Sequence, residues 1–307
     1  MSFSKQVKQE ITRRDILRPC CAMAAAYGVA CFSKYFDTKG LILHTERAFV
    51  ARWAKQVYAN VGVEGKVFVR GEGATSYEFA VKDPFETEKM LALFGHSGDE
   101  TSLRIRRENL LCSECFSHFM AAAFLCCGTV VTPEKGYSLE FLTPRYSLSQ
   151  DFEALLREHG FAPGRAVRKG ANLLYFRASE KIEDLLTTMG APGSALEIMQ
   201  QKVYRDFRNR ANRITNCETA NIDKIVAAGR DTLQAIAVLE EKGALDSLPE
   251  ALRQAAALRR QNPDLSLAEL AAKSDPPLSK SGLSHRFKKL REKAETIQKQ
   301  QRVSHSN

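Results

Sequence analysis

The sequence predicts an α+β domain made of two similar halves, followed by an all-helical domain. Three observations lead to this fold class. The first two thirds of the chain match themselves at an offset of 95 to 98 residues, the positive charge is concentrated in the last third, and three short helices with clear start and stop signals close the chain. A length of 307 residues, 44% of them hydrophobic, is enough for two buried cores.

The internal repeat rests on four segments that recur in the same order. The pairs are MAAAYGVAC with MAAAFLCCG, LILHT with LEFLT, YEFAVK with YFRASE, and MLALFG with LLTTMG. Four ordered matches within so narrow a range of offsets indicate a duplication. We therefore predict one N-terminal domain over residues 1–190, with repeats at about 1–95 and 96–190.

Each repeat predicts the same order of elements. An Ala-rich helix and an extended stretch are followed by an amphipathic helix, which is RAFVARWAKQVYANVG in the first repeat and LSQDFEALLREHG in the second. Alternating or β-branched runs around glycine then predict strand pairs at 65–73 and 165–176. A last helix ends at Gly95 or Gly190, because glycine readily adopts the left-handed conformation found after helix ends.

The charge distribution singles out the last third of the chain. From residue 201 onward there are 20 Lys and Arg against 13 Asp and Glu, whereas residues 1–200 have 25 against 23. A basic surface of this kind favours a polyanionic partner. We predict a basic linker helix over 191–216, in which Arg208, Arg210 and Arg213 lie among asparagines and are candidate phosphate contacts. A solvated helix face without a partner is the alternative.

A helix-turn-helix domain is predicted over 217–300, followed by a tail over 301–307. Its first, long helix has an apolar side formed by Ile222, Ile225, Leu233, Ile236 and Leu239. The next helix starts at Pro249 and stops before Pro263, because proline fits the first turn of a helix but not its interior. The one after it opens with Ser266 and Glu269 at the spacing of a capping box.

The last predicted helix carries the residues that we expect to contact DNA. With Ser279 as N-cap, its core-facing stripe consists of Leu283, Phe287, Leu290 and Ala294. Away from this stripe, in the half that a helix-turn-helix places in the major groove, lie Lys280, Ser281, Ser284, His285 and Lys288. Flanking positions suited to backbone phosphates hold Arg286, Lys289 and Arg291. The alternative is a basic amphipathic helix that only closes a bundle.

The two Ala-rich helices resemble the central helices of the LAGLIDADG homing-endonuclease family, in which small residues let two helices pack closely at a pseudo-twofold axis. That family carries an acidic residue at the foot of each helix, just before a terminal glycine, and the two carboxylates hold the divalent cations that cut DNA. Here the second helix has Cys127 before Gly128, and the first has Val29 or Ala30. The resemblance implies that the fold is retained, and the missing carboxylates predict that the chain is not an enzyme.

Longer segments resemble the WhiA family of bacterial DNA-binding regulators. They are SFSKQVKQEI near the N-terminus, NRANRITNCETANIDKIVAA, LPEALRQAAALRRQNPDLSLAEL and SKSGLSHRFKKL. The resemblance implies a degenerate LAGLIDADG domain joined to a helix-turn-helix domain related to sigma-factor region 4. It also implies a regulator that binds specific double-stranded DNA, with roles in sporulation-linked transcription, cell division and chromosome segregation. Another transcription factor or RNA polymerase would be a further partner.

Three other functions are kept as alternatives. A metal-dependent endonuclease would use Asp37 and Glu134 as displaced ligands. A structural zinc site would use Cys112, Cys115, Cys126 and Cys127, although adjacent cysteines on a helix point in different directions. An interaction scaffold would bind a protein through its N-terminal domain and add non-specific DNA affinity through its C-terminal helices.

The sequence offers little support for a membrane or small-molecule partner. The longest apolar runs, at 20–32 and 119–131, are shorter than the roughly 20 residues that a membrane span requires. Adjacent cysteines within apolar segments that are predicted to be helical are typical of proteins in the reducing cytoplasm. We therefore expect a cytoplasmic, nucleoid-associated protein that needs no cofactor and has no small-molecule substrate.

Overall fold

The structure is a computed structural model that describes residues 2–71 and 76–304. The chain divides into two compact units, with the boundary between Arg205 and Asp206. This boundary falls within the segment predicted as a linker, 191–216. The two units are described separately.

The first unit confirms the predicted duplication. Its first half contains α1 (Phe3–Ile11), α2 (Pro19–Phe32), β1 (Tyr35–Asp37), β2 (Gly40–Thr45), α3 (Ala48–Asn60), β3 (Lys66–Arg70), β4 (Ser76–Val81) and α4 (Pro84–Phe94). Its second half contains a short 3-10 turn (Arg107–Asn109), α5 (Cys115–Cys127), β5 (Gly128–Val130), β6 (Leu139–Thr143), α6 (Tyr146–Glu158), β7 (Gly164–Arg168), β8 (Ala171–Phe176) and α7 (Ser179–Met189). From α2 onward and from α5 onward, helices and strands follow in the same order.

Each half forms an antiparallel four-stranded sheet with the same topology. The strand orders are β1-β2-β4-β3 and β5-β6-β8-β7. The central registers also correspond, because Leu41 pairs with Val81 in one sheet and Leu139 pairs with Phe176 in the other. The predicted strand run at 65–73 matches β3 up to Arg70, and its positions 72 and 73 lie outside the described residues.

The hairpin between β7 and β8 shows how the sequence sets a register. Arg168 pairs with Ala171, which leaves a two-residue loop. Both loop residues have positive φ, 51° at Lys169 and 79° at Gly170. This is the backbone that a type I′ turn requires, and glycine adopts it without steric cost.

Helices α2 and α5 pack against each other at the centre of the first unit. Ala24, Ala25 and Ala26 on α2 are fully buried, as are Ala122 and Ala123 on α5. A side chain at Gly28 would place its Cβ 2.7 Å from the Cβ of Ala122 and 2.8 Å from the carbonyl oxygen of Phe119. Small residues therefore allow the close approach that the LAGLIDADG-like pattern predicted, and at Gly28 the two helices leave no room for a side chain.

The long helix α8 (Pro192–Glu241) corrects the prediction of two successive helices in this region. The reason is local, because no glycine or proline occurs between Gly193 and Gly229 to interrupt the backbone hydrogen bonds. The predicted apolar side of its second part is only partly correct. Ile236 is buried, whereas Ile222 is 59% exposed and Ile225 is 38% exposed.

The second unit is a helical bundle formed by the end of α8 with α9 (Glu250–Gln261), α10 (Leu267–Lys273) and α11 (Lys280–Ser304). Its core combines Ile236 and Leu239 of α8 with the predicted stripe Leu283, Phe287, Leu290 and Ala294 of α11. All four stripe residues are buried, so the predicted orientation of α11 is confirmed. Helix α11 continues into the predicted tail as far as Ser304, and residues 305–307 lie outside the described part.

Across residues 2–71 and 76–304, no helix combines the length and the hydropathy that crossing a bilayer requires.

Candidate nucleic-acid interface

The start of α11 is fixed by short-range hydrogen bonds that the sequence predicted. The Ser279 hydroxyl accepts the backbone N–H of Gly282 at 3.0 Å, which makes Ser279 the N-cap. The capping box of α10 is also present, because Glu269 N–H donates to the Ser266 hydroxyl and Ser266 N–H donates to the Glu269 carboxylate. The backbone N–H of Leu278 donates to the carbonyl of Ala271 and ties the turn to α10.

The face of α11 opposite the core is exposed along its N-terminal half. The exposed residues are Lys280, Ser281, Ser284, His285, Lys288 and Lys289. The Lys288 ammonium lies 3.7 Å from the Glu292 carboxylate, with the two side chains 67% and 60% exposed. An ion pair so open to water is worth little, so it holds Lys288 only weakly.

The two arginines predicted to flank this face are half-buried and make hydrogen bonds within the second unit. Arg286 donates to the carbonyl of Ala251 at 3.4 Å, and Arg291 donates to the hydroxyl of Thr232 at 3.4 Å. Both bonds are long, and each guanidinium has five N–H donors. The two side chains are therefore positioned on either side of the exposed face and keep donors for a further acceptor.

Arg259 is a structural residue of this unit that the sequence reading did not single out. Its side chain is buried, and Nη1 donates to the carbonyls of Pro263 at 3.2 Å and Leu265 at 2.7 Å. The guanidinium also lies 5.3 Å from the ring centroid of Phe287. Arg259 thus joins the turn before α10 to the core side of α11. The burial of Arg259 could have been predicted from the sequence, because Arg259 follows Leu252 by seven residues and falls on the buried stripe of α9.

The basic part of α8 separates into engaged and exposed side chains. Lys202 pairs with Glu180, and Arg205 donates to the carbonyl of Pro133 at 2.7 Å. The three predicted phosphate contacts, Arg208, Arg210 and Arg213, are all exposed. Residues three apart on a helix share a face and residues two apart do not, so Arg210 and Arg213 point to one side and Arg208 to another.

Cations lie at the feet of α2 and α5, which are the C-terminal ends of these helices. The homing-endonuclease pattern has carboxylates at these positions. Arg145 donates to the carbonyls of Cys31 and Ser33 at 2.8 Å, which satisfies the C-terminal end of α2. Lys8 donates to the carbonyl of Leu125 at 3.1 Å near the end of α5, although burial lowers the pKa of its ammonium. Positive side chains at the negative ends of both helices complement the helix dipoles.

The residues at the expected acid positions are not metal ligands of the required kind. Val29 and Ala30 are fully buried, and burial raises the pKa of Cys127 to about 12. The Cys127 thiol donates to the carbonyl of Ala123 at 3.2 Å within its own helix. Within the described ranges, the groups of three or more His, Cys, Asp and Glu side chains close enough to hold a metal include neither Asp37 nor Glu134.

Comparisons with known proteins agree with both units. The family model described as the WhiA LAGLIDADG-like domain matches residues 116–208, and the one described as the WhiA C-terminal HTH domain matches residues 211–294. A protein of Ruminiclostridium cellulolyticum named probable cell division protein WhiA is 33% identical over 97% of this chain and 99% of its own length. A protein of Carboxydothermus hydrogenoformans with the same name is 32% identical over 97% of this chain and 98% of its own length.

A solved structure shares the fold. The crystal structure of full-length DUF199/WhiA from Thermotoga maritima superposes with a TM-score of 0.60 at 20% identity, covering 96% of this chain and 99% of that one. The chain carries a LAGLIDADG-like domain followed by a helix-turn-helix domain, and its relatives match it from end to end. This chain belongs to the WhiA family.

Proposed function

We propose that this chain is a sequence-specific double-stranded DNA-binding protein that regulates transcription and acts in cell division. The observation that carries the proposal is the exposed, basic and serine-bearing face of α11, held in place by a buried stripe and an N-cap. Family membership supports it, since relatives are named for cell division. The proposal includes roles in sporulation and chromosome segregation. It also includes a cytoplasmic, nucleoid-associated location.

The side chains on the α11 face suit the reading of base edges. The N-terminal half of the second helix of a helix-turn-helix enters the major groove. Ser281 and Ser284 are small enough to let the helix approach the bases and can donate or accept a hydrogen bond. Lys280 and Lys288 can donate to guanine O6 and N7, while Arg286, Lys289 and Arg291 are placed at the edges, where the phosphate backbone runs.

The exposed arginines of α8 are proposed to add phosphate contacts. Replacing Arg208, Arg210 and Arg213 together with alanine is expected to weaken binding to specific and scrambled duplexes alike. Each phosphate contact contributes about 0.9 to the slope of log affinity against log salt, so the slope should shrink by about two to three units. Fluorescence anisotropy over a salt series measures this.

The matched control for the arginine variant is Asn209→Ala with Asn212→Ala, which changes two exposed neighbours on α8 without changing charge. It should leave the salt slope at the wild-type value. An unchanged slope in the arginine variant would place α8 outside the DNA interface.

We infer that the LAGLIDADG-like domain has lost its nuclease chemistry. A divalent cation needs hard oxygen ligands, and the feet of α2 and α5 carry a thiol, aliphatic groups and the cations Lys8 and Arg145 instead. Purified protein is therefore expected to bind supercoiled plasmid without nicking it in Mg²⁺ or Mn²⁺, as followed by agarose gel. Cleavage that is lost in Asp37→Asn or Glu134→Gln protein would show that displaced carboxylates act as ligands.

Exposed apolar side chains on α8 favour a second candidate, an interaction scaffold with non-specific DNA affinity. Val203, Phe207 and Ile214 are 69%, 73% and 52% exposed. Such side chains are more typical of a protein contact than of a phosphate contact. They also support a protein partner, such as another transcription factor or RNA polymerase, for a DNA-bound regulator. A scaffold without specific DNA recognition would bind specific and scrambled duplexes equally.

A further inference from the structure

Four cysteine sulfurs converge at the N-terminal ends of α2 and α5. The Sγ atom of Cys112 lies 3.6 Å from that of Cys20, 3.7 Å from that of Cys21 and 3.5 Å from that of Cys115. The four Sγ atoms all lie within 4.8 Å of one another. The cluster joins residues that are about ninety positions apart, so it connects the two halves of the first unit.

The fold explains why these thiols meet. Cys20 and Cys21 lie in the first turn of α2, and Cys115 begins α5. Helical Cα–Cβ bonds tilt toward the N-terminus, so side chains of a first turn reach past the helix end. This tilt lets both adjacent cysteines of α2 approach Cys112, which sits in the turn before α5.

The structure contradicts the zinc alternative of Cys112, Cys115, Cys126 and Cys127, because these four thiols do not lie together. Cys126 and Cys127 lie at the other end of α5, about 16 to 18 Å along the helix axis from Cys115. Cys20 and Cys21 lie beside Cys112 and Cys115 instead. The predicted packing of two equivalent helices at a pseudo-twofold axis was an indirect signal for this pairing, whereas no spacing within either helix indicates it.

Two helix N-termini and one cation lie beside the sulfurs. The positive ends of two helix dipoles point at the cluster, and the described N-cap residues Arg18 and Glu114 make no side-chain cap bond that would satisfy the helix N–H groups. The backbone N–H of Cys112 points at the Cys115 sulfur at 3.5 Å. Arg18 brings a guanidinium nitrogen to 4.0 Å from the Cys112 sulfur.

The spacing agrees with tetrahedral coordination. Four thiolates bound to zinc at about 2.3 Å are separated by about 3.8 Å. The three separations from the Cys112 sulfur, 3.5 to 3.7 Å, are close to this value. Four sulfur ligands in a tetrahedron select zinc over the hard cations, and a closed set of four protein ligands is typical of a structural site.

We propose that Cys20, Cys21, Cys112 and Cys115 bind one structural Zn²⁺ ion that clamps the two halves of the LAGLIDADG-like domain together at the start of their central helices. An overlapping group, Cys21 with Glu114 and His118, offers three mixed ligands at the same place. The four thiols form the better zinc site because they complete the coordination sphere without it. The site lies at the end of the helices opposite the feet where a nuclease would hold its metals.

Metal analysis of the full chain tests the proposal. Protein purified without chelators should contain one zinc per chain by inductively coupled plasma mass spectrometry. Cys112→Ser with Cys115→Ser should lose it, whereas Cys217→Ser, an exposed cysteine of α8, and Glu114→Gln should keep it. Removing zinc with a chelator should lower the melting temperature by roughly 10 °C, and adding zinc back should restore it.

A second measurement covers the case in which the double variant does not fold. Wild-type protein loaded with Co²⁺ should show the strong visible bands and the thiolate-to-metal charge-transfer band of a tetrahedral thiolate site, and Zn²⁺ should abolish them. Absence of zinc even after its addition, zinc retained by a folded double variant, or bound iron in its place would overturn the proposal. A disulfide between two of the four cysteines in freshly purified protein would overturn it as well.

Discussion

Replacing Leu283 with alanine is expected to lower the free energy of unfolding of the C-terminal unit by roughly 2 to 5 kcal/mol. Leu283 is fully buried in the core that α11 shares with α8, α9 and α10. The change removes apolar contacts and leaves a cavity that the neighbouring helices fill only in part. Because a small helical unit has little stability to spare, DNA binding should fall together with the folded fraction. Urea denaturation followed by circular dichroism measures the loss.

The control for this variant is Lys289→Ala, which truncates an exposed side chain on the same helix. Its stability should stay within about 0.5 kcal/mol of wild type. If Leu283→Ala lost DNA binding at full stability, Leu283 would face the DNA and the orientation of α11 would have to be reversed.

Local patterns of the sequence were sufficient to predict which face of α11 is buried. The stripe that ends at Ala294 repeats at helical spacing, and all its members are buried. The caps at Ser266 and Ser279 depend on hydrogen bonds between residues three positions apart, which makes them readable from the sequence. The strand pair of each repeat was predictable for a similar reason, because strand alternation and the glycine at the β7–β8 turn are local features, whereas the four-stranded sheets were not predicted.

Features that depend on contacts between residues distant in the chain were harder to predict from the sequence. The cysteine cluster needs the start of α2 beside the start of α5, and no spacing within either segment encodes that proximity. Lys8 and Arg145 reach helix ends that are more than a hundred residues away in sequence. Helix α8 differs again, because its middle is exposed and carries no helix stop signal. Only the lack of glycine and proline between Gly193 and Gly229 indicated that the helix continues.

The residue that tests the DNA-binding face most sharply is Lys288. Replacing it with alanine should leave the core intact, since the side chain is 67% exposed and its ion-pair partner Glu292 is 60% exposed. If Lys288 donates to a base, the loss should be about 1 to 3 kcal/mol on a specific duplex and much smaller on a scrambled one. If it touches only phosphate, both duplexes should lose affinity alike and the salt slope should shrink by about one unit.

The decisive measurement is the affinity of wild-type, Lys288→Ala and Lys293→Ala protein for a duplex selected from genome-wide mapping of bound DNA and for its scrambled counterpart, at two salt concentrations. Lys293 is a matched control, because it is an exposed lysine of α11 that lies beyond the N-terminal half. Selective loss of the specific complex in Lys288→Ala, with Lys293→Ala close to wild type, is the predicted result. Wild-type affinity and salt slope in Lys288→Ala, Ser284→Ala and His285→Ala protein alike would contradict the assignment of α11 as the recognition helix.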